Sequence, residues 1–443
     1  MEYNLGYRSV REGEVSIGHD DVMSLCIHLL EEPKFRQMVA NRFPIILIDE
    51  YQDTNAEWVE AIKRHFLHLN SAPLFGFFGD HWQKIYGDGC GKLEHPNVVE
   101  IGKKANFRSV EVVVKCLNRM RPELPQFVED PALPGEVRVL HTNGWNGMRQ
   151  KGAHYSGDLP PGETKRILEK TKLELASAGW DLAREKTKIL MLTHRSLASE
   201  QGYTALAQCF EYNDSYLKKE SPYISFFIDV LEPVCDAFQA KKYGLMLSIL
   251  NVGDRLVGKT ADKKEWTDAL NGILAVCETG SVAEVIAHLR LTGRPVLTEK
   301  IQKVEIELSA FDRNSGDEMP RGLREAEALK KVPYREVKAL RRYLDGFSPF
   351  ETKHGVKGAE FENVLVVLGR GWNKYNYNTM LEFAAKTVPL DKKEFFESNR
   401  NLFYVCCSRP KKRLCLLFTQ ELTSTALGQL KAWFGAESIA ETS

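Results

Sequence analysis

Two short apolar runs, each stopping at carboxylates, constrain this chain more than any other feature. Phe43-Pro44-Ile45-Ile46-Leu47-Ile48 is apolar without alternation and ends in Asp49-Glu50. That pattern predicts a strand covered on both faces of a parallel sheet. Leu74 to Phe78 is a second such run and ends in Gly79-Asp80. Between them Trp58, Ile62, His65 and Phe66 fall on one face of a helix,. Strand, helix and strand in that order form a βαβ unit, and open α/β sheets of this kind place their ligands at the carboxyl ends of the strands. The acidic residues stand at those ends.

Upstream, Val22, Leu25, Cys26, Leu29 and Leu30 recur at helical spacing behind Asp20 as a cap, and Pro33 restarts the helix,. From about Gly135 the pattern begins again with a strand over Val137–Leu140 and a glycine-rich loop from Asn143 to Gly162. A helix from Thr164 to Ala178 follows, closed by Gly179,. The next strand, Lys188 to Leu192, leads into Thr193-His194-Arg195, and residues 200–345 carry long helical patterns with few strand signals. Strand patterns return at Val364–Leu368 and Leu414–Phe418. The expected organisation is a first α/β domain over 1–125, a second over 126–200 and 346–443, and a helical insertion over 201–345. No repeat or low-complexity tract interrupts it.

At 443 residues and 43% hydrophobic, the chain has enough apolar material for a substantial core,. No apolar run approaches the roughly 20 residues that cross a bilayer, and Met1–Arg11 is polar and mixed, unlike a secretion signal,. The expectation is a cytoplasmic protein with no membrane partner. Nine scattered cysteines without a C-x-x-C pair suggest neither a disulfide framework nor a zinc site,. Sixty basic residues balance sixty acidic ones, so no overall positive field advertises a polyanion,. Single strands can still bind, because stacking on aromatic side chains contributes about 1–3 kcal/mol per base.

An acidic pair at a strand end can hold Mg²⁺ and activate a water, Asp49 as the metal ligand and Glu50 as the base; a solvated strand end has the same composition. The longer strings go further. Ile48-Asp49-Glu50-Tyr51-Gln52-Asp53-Thr54, followed by Gly79-Asp80-His81-Trp82-Gln83-Lys84-Ile85-Tyr86, resembles the D-E-x-Q-D and G-D-x-x-Q-x-I-Y pair of UvrD/Rep/PcrA-type superfamily 1 DNA helicases. Asn106-Phe107-Arg108-Ser109 resembles N-[YF]-R-S of the same family. Thr352-Lys353-His354-Gly355-Val356-Lys357-Gly358-Ala359-Glu360-Phe361 resembles T-x-H-x-x-K-G-x-E-F, and Arg400 to Arg409 resembles R-x-L-x-Y-V-x-x-[ST]-R.

The resemblance spans almost the whole chain. It implies two RecA-like P-loop NTPase domains, the first incomplete and the second interrupted by the helical insertion, with ATP and Mg²⁺ between them and single-stranded DNA or a duplex junction across the top. It implies that Asp49 and Glu50 serve the metal, Glu50 acts as catalytic base, Gln83 senses the γ-phosphate, and Arg108 and Arg409 contact it, Arg409 as an arginine finger. Gly358 and Glu360 fall to the nucleotide, and Tyr86, Thr352 and His354 to DNA. The resemblance favours DNA and 3′-to-5′ movement.

Two departures qualify this reading. Residues 1–42 contain no G-x-x-x-x-G-K-[ST] loop to cradle the β- and γ-phosphates,. Gly253 to Thr260 satisfies the pattern literally but follows a helical run inside the insertion, and is read as a coincidental turn,. The chain is thus expected to be a fragment, a truncation or a subunit completed by another polypeptide, and by itself to turn over no ATP. The rival reading is a non-catalytic binding subunit of a repair or anti-phage defence complex. Secondly, Gly87-Asp88-Gly89-Cys90-Gly91 replaces the aromatic and R-G-A that follow I-Y in the family. The loop Arg370-Gly371-Trp372-Asn373-Lys374-Tyr375-Asn376-Tyr377 interleaves aromatics and cations in a way that suits base stacking, with Trp372 and Tyr375 as candidates; a loop packing its own aromatics has the same composition,. No separate carboxylate-plus-lysine site suggests a nuclease.

Overall fold

The computed structural model describes residues 2–3, 9–11, 14–67, 73–84, 87–152, 155–191, 194–250, 260–313, 318–345, 350–352, 359–370 and 375–442. The chain divides into two compact units, Met1–Trp180 with Lys353–Ser443, and Asp181–Thr352. It is an α/β protein with parallel sheets.

In the first unit the βαβ element is present. Ile45–Ile48 pairs in parallel with Leu74–Phe77, Ile46 opposite Phe75, and the Ala56–His65 helix connects them. Asn55 caps that helix, its Oδ1 accepting from Trp58 N at 3.1 Å. One face of the strand pair lies over a cluster in which Ile27, Phe35, Val39, Trp58 and Phe75 pack against Leu30, Ala61 and Phe66. The other face is open: Ile45 is 58% and Leu47 65% exposed. Coverage of both faces, expected from the unbroken apolar run, is therefore corrected here, because among the described residues helices flank only one side of this two-stranded sheet. The first helix, His19–Leu29, begins behind Gly18 rather than Asp20; the Asp21 carboxylate folds back to accept from Gly18 N at 2.9 Å.

The larger parallel sheet of this unit shows the double coverage missing from the first. Its strands run in the order Phe361–Leu368, Pro410–Phe418, Glu136–His141, Ile439–Glu441. Val364–Leu368 and Leu414–Phe418 are buried throughout, as an apolar run between two helical layers requires,. The helices Glu111–Met120, Pro161–Ser177, Tyr377–Ala384, Lys393–Cys407 and Ser424–Phe434 supply those layers. Gly179, at positive φ, ends the Pro161–Ser177 helix as expected,. Phe361 N donates to Arg409 O at 3.1 Å, so the amino ends of two strands and the end of the Lys393–Cys407 helix meet at one edge. That edge carries the site.

The second unit is mostly helical, from His194–Gln201 to Arg335–Leu344, as the sequence indicates. Two strands, Thr187–Met191 and Phe350–Thr352, pair in parallel within it, Ile189 opposite Phe350. Its buried carboxylate Glu305 accepts from Tyr223 Oη at 2.6 Å and Lys330 Nζ at 2.8 Å, the pairing that a buried charge needs,. No helix among the described residues is long and apolar enough to cross a membrane. All nine cysteines are free thiols.

Candidate functional site

The acidic strand end is shaped by its backbone. After Ile48 the chain turns through Glu50 in the left-handed region (φ 49°, ψ 42°) into a short 3-10 turn, Tyr51–Asp53. Asp49 Oδ1 accepts from Glu50 N at 2.9 Å, and both carboxylates are exposed. Gln52, fully buried, holds this arrangement from beneath. Its Nε2 donates to Glu50 Oε2 at 2.5 Å and its Oε1 accepts from Asp80 N at 3.0 Å. The second strand end is thereby tied to the first.

Gly79 makes that tie sterically possible. Its φ is +154°, and a Cβ there would stand 2.2 Å from Gln52 Oε1. Asp80 then caps the His81–Gln83 turn through Trp82 N at 3.0 Å and receives Arg121 Nη1 at 2.7 Å. Arg121 is buried, so this pair is costly to break, about 3–5 kcal/mol for loss of one partner,. The glycine-rich segment that replaces the family's aromatic packs on the same structure: Cys90 N donates to Thr54 O at 2.8 Å and Gly91 N to Gln52 O at 3.0 Å. A Cβ on Gly89 would lie 2.4 Å from Gln52 O, so only glycine permits this approach,.

Opposite these turns stands the basic side. Arg409 is 1% exposed. Its Nη2 donates to Gln83 Oε1 and Ser408 Oγ, both at 3.0 Å, its Nε to Val405 O at 3.1 Å and its Nη1 to Ala359 O at 3.3 Å. Burial, and next the Arg108 cation, lower its pKa to about 10; Glu50 is among the charges acting the other way. It remains a cation at neutral pH. Arg108 Nε reaches Glu360 Oε2 at 3.2 Å and its Nη1 reaches Ser408 O at 3.2 Å. Glu360 also binds Lys411 Nζ at 2.5 Å, and these two cations, Lys411 first, hold its carboxyl below the usual range. The Asn106 side chain fixes the loop, accepting from Arg108 N at 3.0 Å and Ser109 N at 2.9 Å.

The structure thus brings together Glu50, Gln83, Arg108, Glu360 and Arg409, with Asp49 at the same strand end. Asp49 and Glu50 suit a magnesium ion shared with phosphate oxygens, since that ion needs only one or two protein carboxylates. Among the described residues no cluster of three or more His, Cys, Asp or Glu side chains forms a self-sufficient metal site.

Tyr86, His354, Gly358 and Trp372 lie outside the described residues, as do positions 253–259 of the literal phosphate-loop match; Thr260 begins a helix. Thr352 ends the Phe350–Thr352 strand in the other unit. Tyr375 is corrected: it is 5% exposed, and burial pushes its phenol up to about 12, so its ring packs inward and presents no face to a base. Phe107, given no role from sequence, is 73% exposed beside Arg108 with Lys103 Nζ 5.5 Å from its ring centroid. Its place inside the N-F-R-S string was the available signal. Gln52 stands at the specified Q of D-E-x-Q-D, which marked the position but not its role; Arg121 had no signal, because its partner is set by folding.

The family model that matches residues 3–88, which include Asp49, Glu50 and Gln83, is the UvrD/REP helicase N-terminal domain. Over these residues the chain matches the superfamily 1 helicases. The chain is 23% identical to the Gabija protein GajB of Bacillus cereus (strain HuB5-5), over 98% of this chain and 67% of that protein. It is 30% identical to an ATP-dependent helicase/nuclease polypeptide of Lactococcus lactis subsp. lactis (strain IL1403), over 27% of this chain and 11% of that protein. The strings at Ile48–Thr54 and Gly79–Tyr86 lie within the matched residues.

Proposed function

We propose that this chain is the ATP-hydrolysing part of a superfamily 1 translocase or helicase acting on single-stranded DNA. The observation that carries the reading is the Arg409–Gln83 hydrogen bond beside the Arg108–Glu360 pair, opposite the Asp49-Glu50 strand end. Two arginines and a glutamine aimed at one place beside an acidic pair suit a transferring phosphoryl group: the arginines offset charge on its oxygens, Glu50 takes a proton from water, and Asp49 supports Mg²⁺. Phe107 offers an exposed face on which a nucleobase can stack. Gly358 belongs to the nucleotide, and Tyr86, Thr352, His354 and Trp372 to DNA, in the same reading. So does the division into a first RecA-like domain (1–125), a second (126–200 and 346–443) and a helical insertion (201–345).

The test is steady-state ATP hydrolysis with and without single-stranded DNA, by the 443-residue chain and by a version extended upstream with a phosphate-loop segment. DNA-stimulated turnover in the extended form is expected. Turnover equal in the presence and absence of DNA in both forms would remove the motor. A second reading, a binding subunit of a repair or defence assembly, is favoured by the alignment with GajB running through the helical unit as well as the motor motifs; it predicts DNA or protein binding with no turnover in either form.

A further inference from the structure

The Lys393–Cys407 helix, which leads into Arg409, holds the Gln83 turn at a second place. Asn401, buried in the Lys393–Cys407 helix, donates from its one amide to two carbonyls that flank the turn, His81 O at 3.1 Å and Lys84 O at 3.2 Å. Its Oδ1 accepts from Arg400 Nε at 3.2 Å and Nη2 at 2.9 Å. Both amide protons and the carbonyl oxygen are thus engaged. Arg400 in turn stacks on Trp82, its guanidinium 3.9 Å from the ring centroid, and Tyr404 meets the same indole edge-on at 5.2 Å. The turn's own closing bond, Lys84 N to His81 O, is long at 3.3 Å. Its other bond, Gln83 N to Asp80 O, is 2.7 Å, so the Asn401 contacts hold the carboxyl end of the turn where its own closure is longest.

Arg409 lies eight residues further along, just past the carboxyl end of that helix. One rigid element therefore touches the turn at the phosphate side, through Gln83, and at its far side, through Asn401. Resting on the functional reading above, we propose that Asn401 is a positioning residue that fastens the His81–Lys84 turn to the helix leading into Arg409. A phosphate that draws Arg409 away from Gln83 then moves the turn, and with it the chain leading to Tyr86, two residues beyond Lys84 in sequence. The motif leaves position 401 unspecified, and only the fold shows what it grips.

Hydrogen–deuterium exchange with and without Mg²⁺ and ATPγS tests this, because two segments report different things. Peptides over residues 105–112 report whether nucleotide reaches Arg108; peptides over 79–92 report the turn. In the wild type both should change on nucleotide addition. In Asn401→Asp, which keeps shape but cannot donate, and in Asn401→Leu, the response at 105–112 should persist while that at 79–92 is lost; Asn401→Gln, which keeps the amide, should restore part of it. A purely structural role would lower the melting temperature and leave both responses in place, which overturns the proposal. So does a wild type in which 105–112 responds and 79–92 does not, a result that stands even where the variants fail to fold. If neither segment responds in the wild type, the nucleotide reading itself fails and takes this inference with it.

Discussion

Arg409 Nη2 and Gln83 Oε1 lie 3.0 Å apart although 326 residues separate them in sequence. The bond joins the turn after the second strand of the small sheet to the amino edge of the large one. Neither group has a reason to be buried there alone: a guanidinium loses hydration in such a place and is kept by the four acceptors it finds. The pair thus stands as a sensor and a cation held against each other where a phosphate would separate them.

If Gln83 and Arg409 act as one unit, their substitutions should not add. In a form of the protein that turns over ATP, Arg409→Ala is expected to lower kcat by about three powers of ten. Gln83→Ala should cost less, and the double variant should match Arg409→Ala within a few-fold. Steady-state rates of the four proteins in the cycle decide it; full additivity would mean that the two residues serve separate steps.

Glu50→Gln keeps the shape of the acidic turn and removes the base. A loss of at least about a hundred-fold in kcat is expected, with KM for ATP changed only a few-fold. Normal turnover by this variant with DNA present would show that another group takes the proton.

Gly79→Ala tests the link from strand end to base without touching either carboxylate. The backbone there is one that side chains rarely adopt, and the new methyl would meet Gln52 Oε1, which holds Asp80 N. Loss of roughly 1–3 kcal/mol of stability is expected from the strain. A drop in kcat should accompany it as Gln52 releases Glu50. Melting curves and turnover measured side by side would separate the two effects.

Asp158, buried among Arg370 N at 2.7 Å, Thr419 Oγ1 at 2.9 Å and the Arg149 cation, has its pKa raised to about 6, chiefly by burial. Its folded value lies above its unfolded one, so its contribution to stability is fully present below the unfolded value and is lost as pH rises through about 6,. The wild type should therefore melt at lower temperature at pH 7.5 than at pH 5 on this group's account, by about 1.4 kcal/mol of stability, the part of the linkage that lies between pH 5 and 6,. Asp158→Asn, which keeps an acceptor, should flatten that part of the pH profile. An unchanged slope in the variant would assign the effect to other groups.

Phe107→Ala removes an exposed ring and almost no core. KM for ATP should rise about ten-fold with kcat nearly constant, the pattern of lost uniform binding. Fluorescent-nucleotide titration reads the same change directly.

Much of this protein is set by local sequence alone. Apolar runs marked Val364–Leu368 and Leu414–Phe418 as strands, the helical spacing over 200–345 marked a helical unit, and the motif strings pointed to the family, because each depends on neighbours in sequence. Tertiary structure decided the rest. The same kind of apolar run at Ile45–Ile48 is covered on one face only, since coverage depends on which helices pack there. Tyr375 turned inward although its loop is composed for contact with solvent or bases. Above all, Arg121 and Asn401 carry no signal of their own, and the D-E-x-Q-D string marks Gln52 without its role: a buried polar side chain takes its role from the partners that folding brings to it, and those partners lie tens to hundreds of residues away.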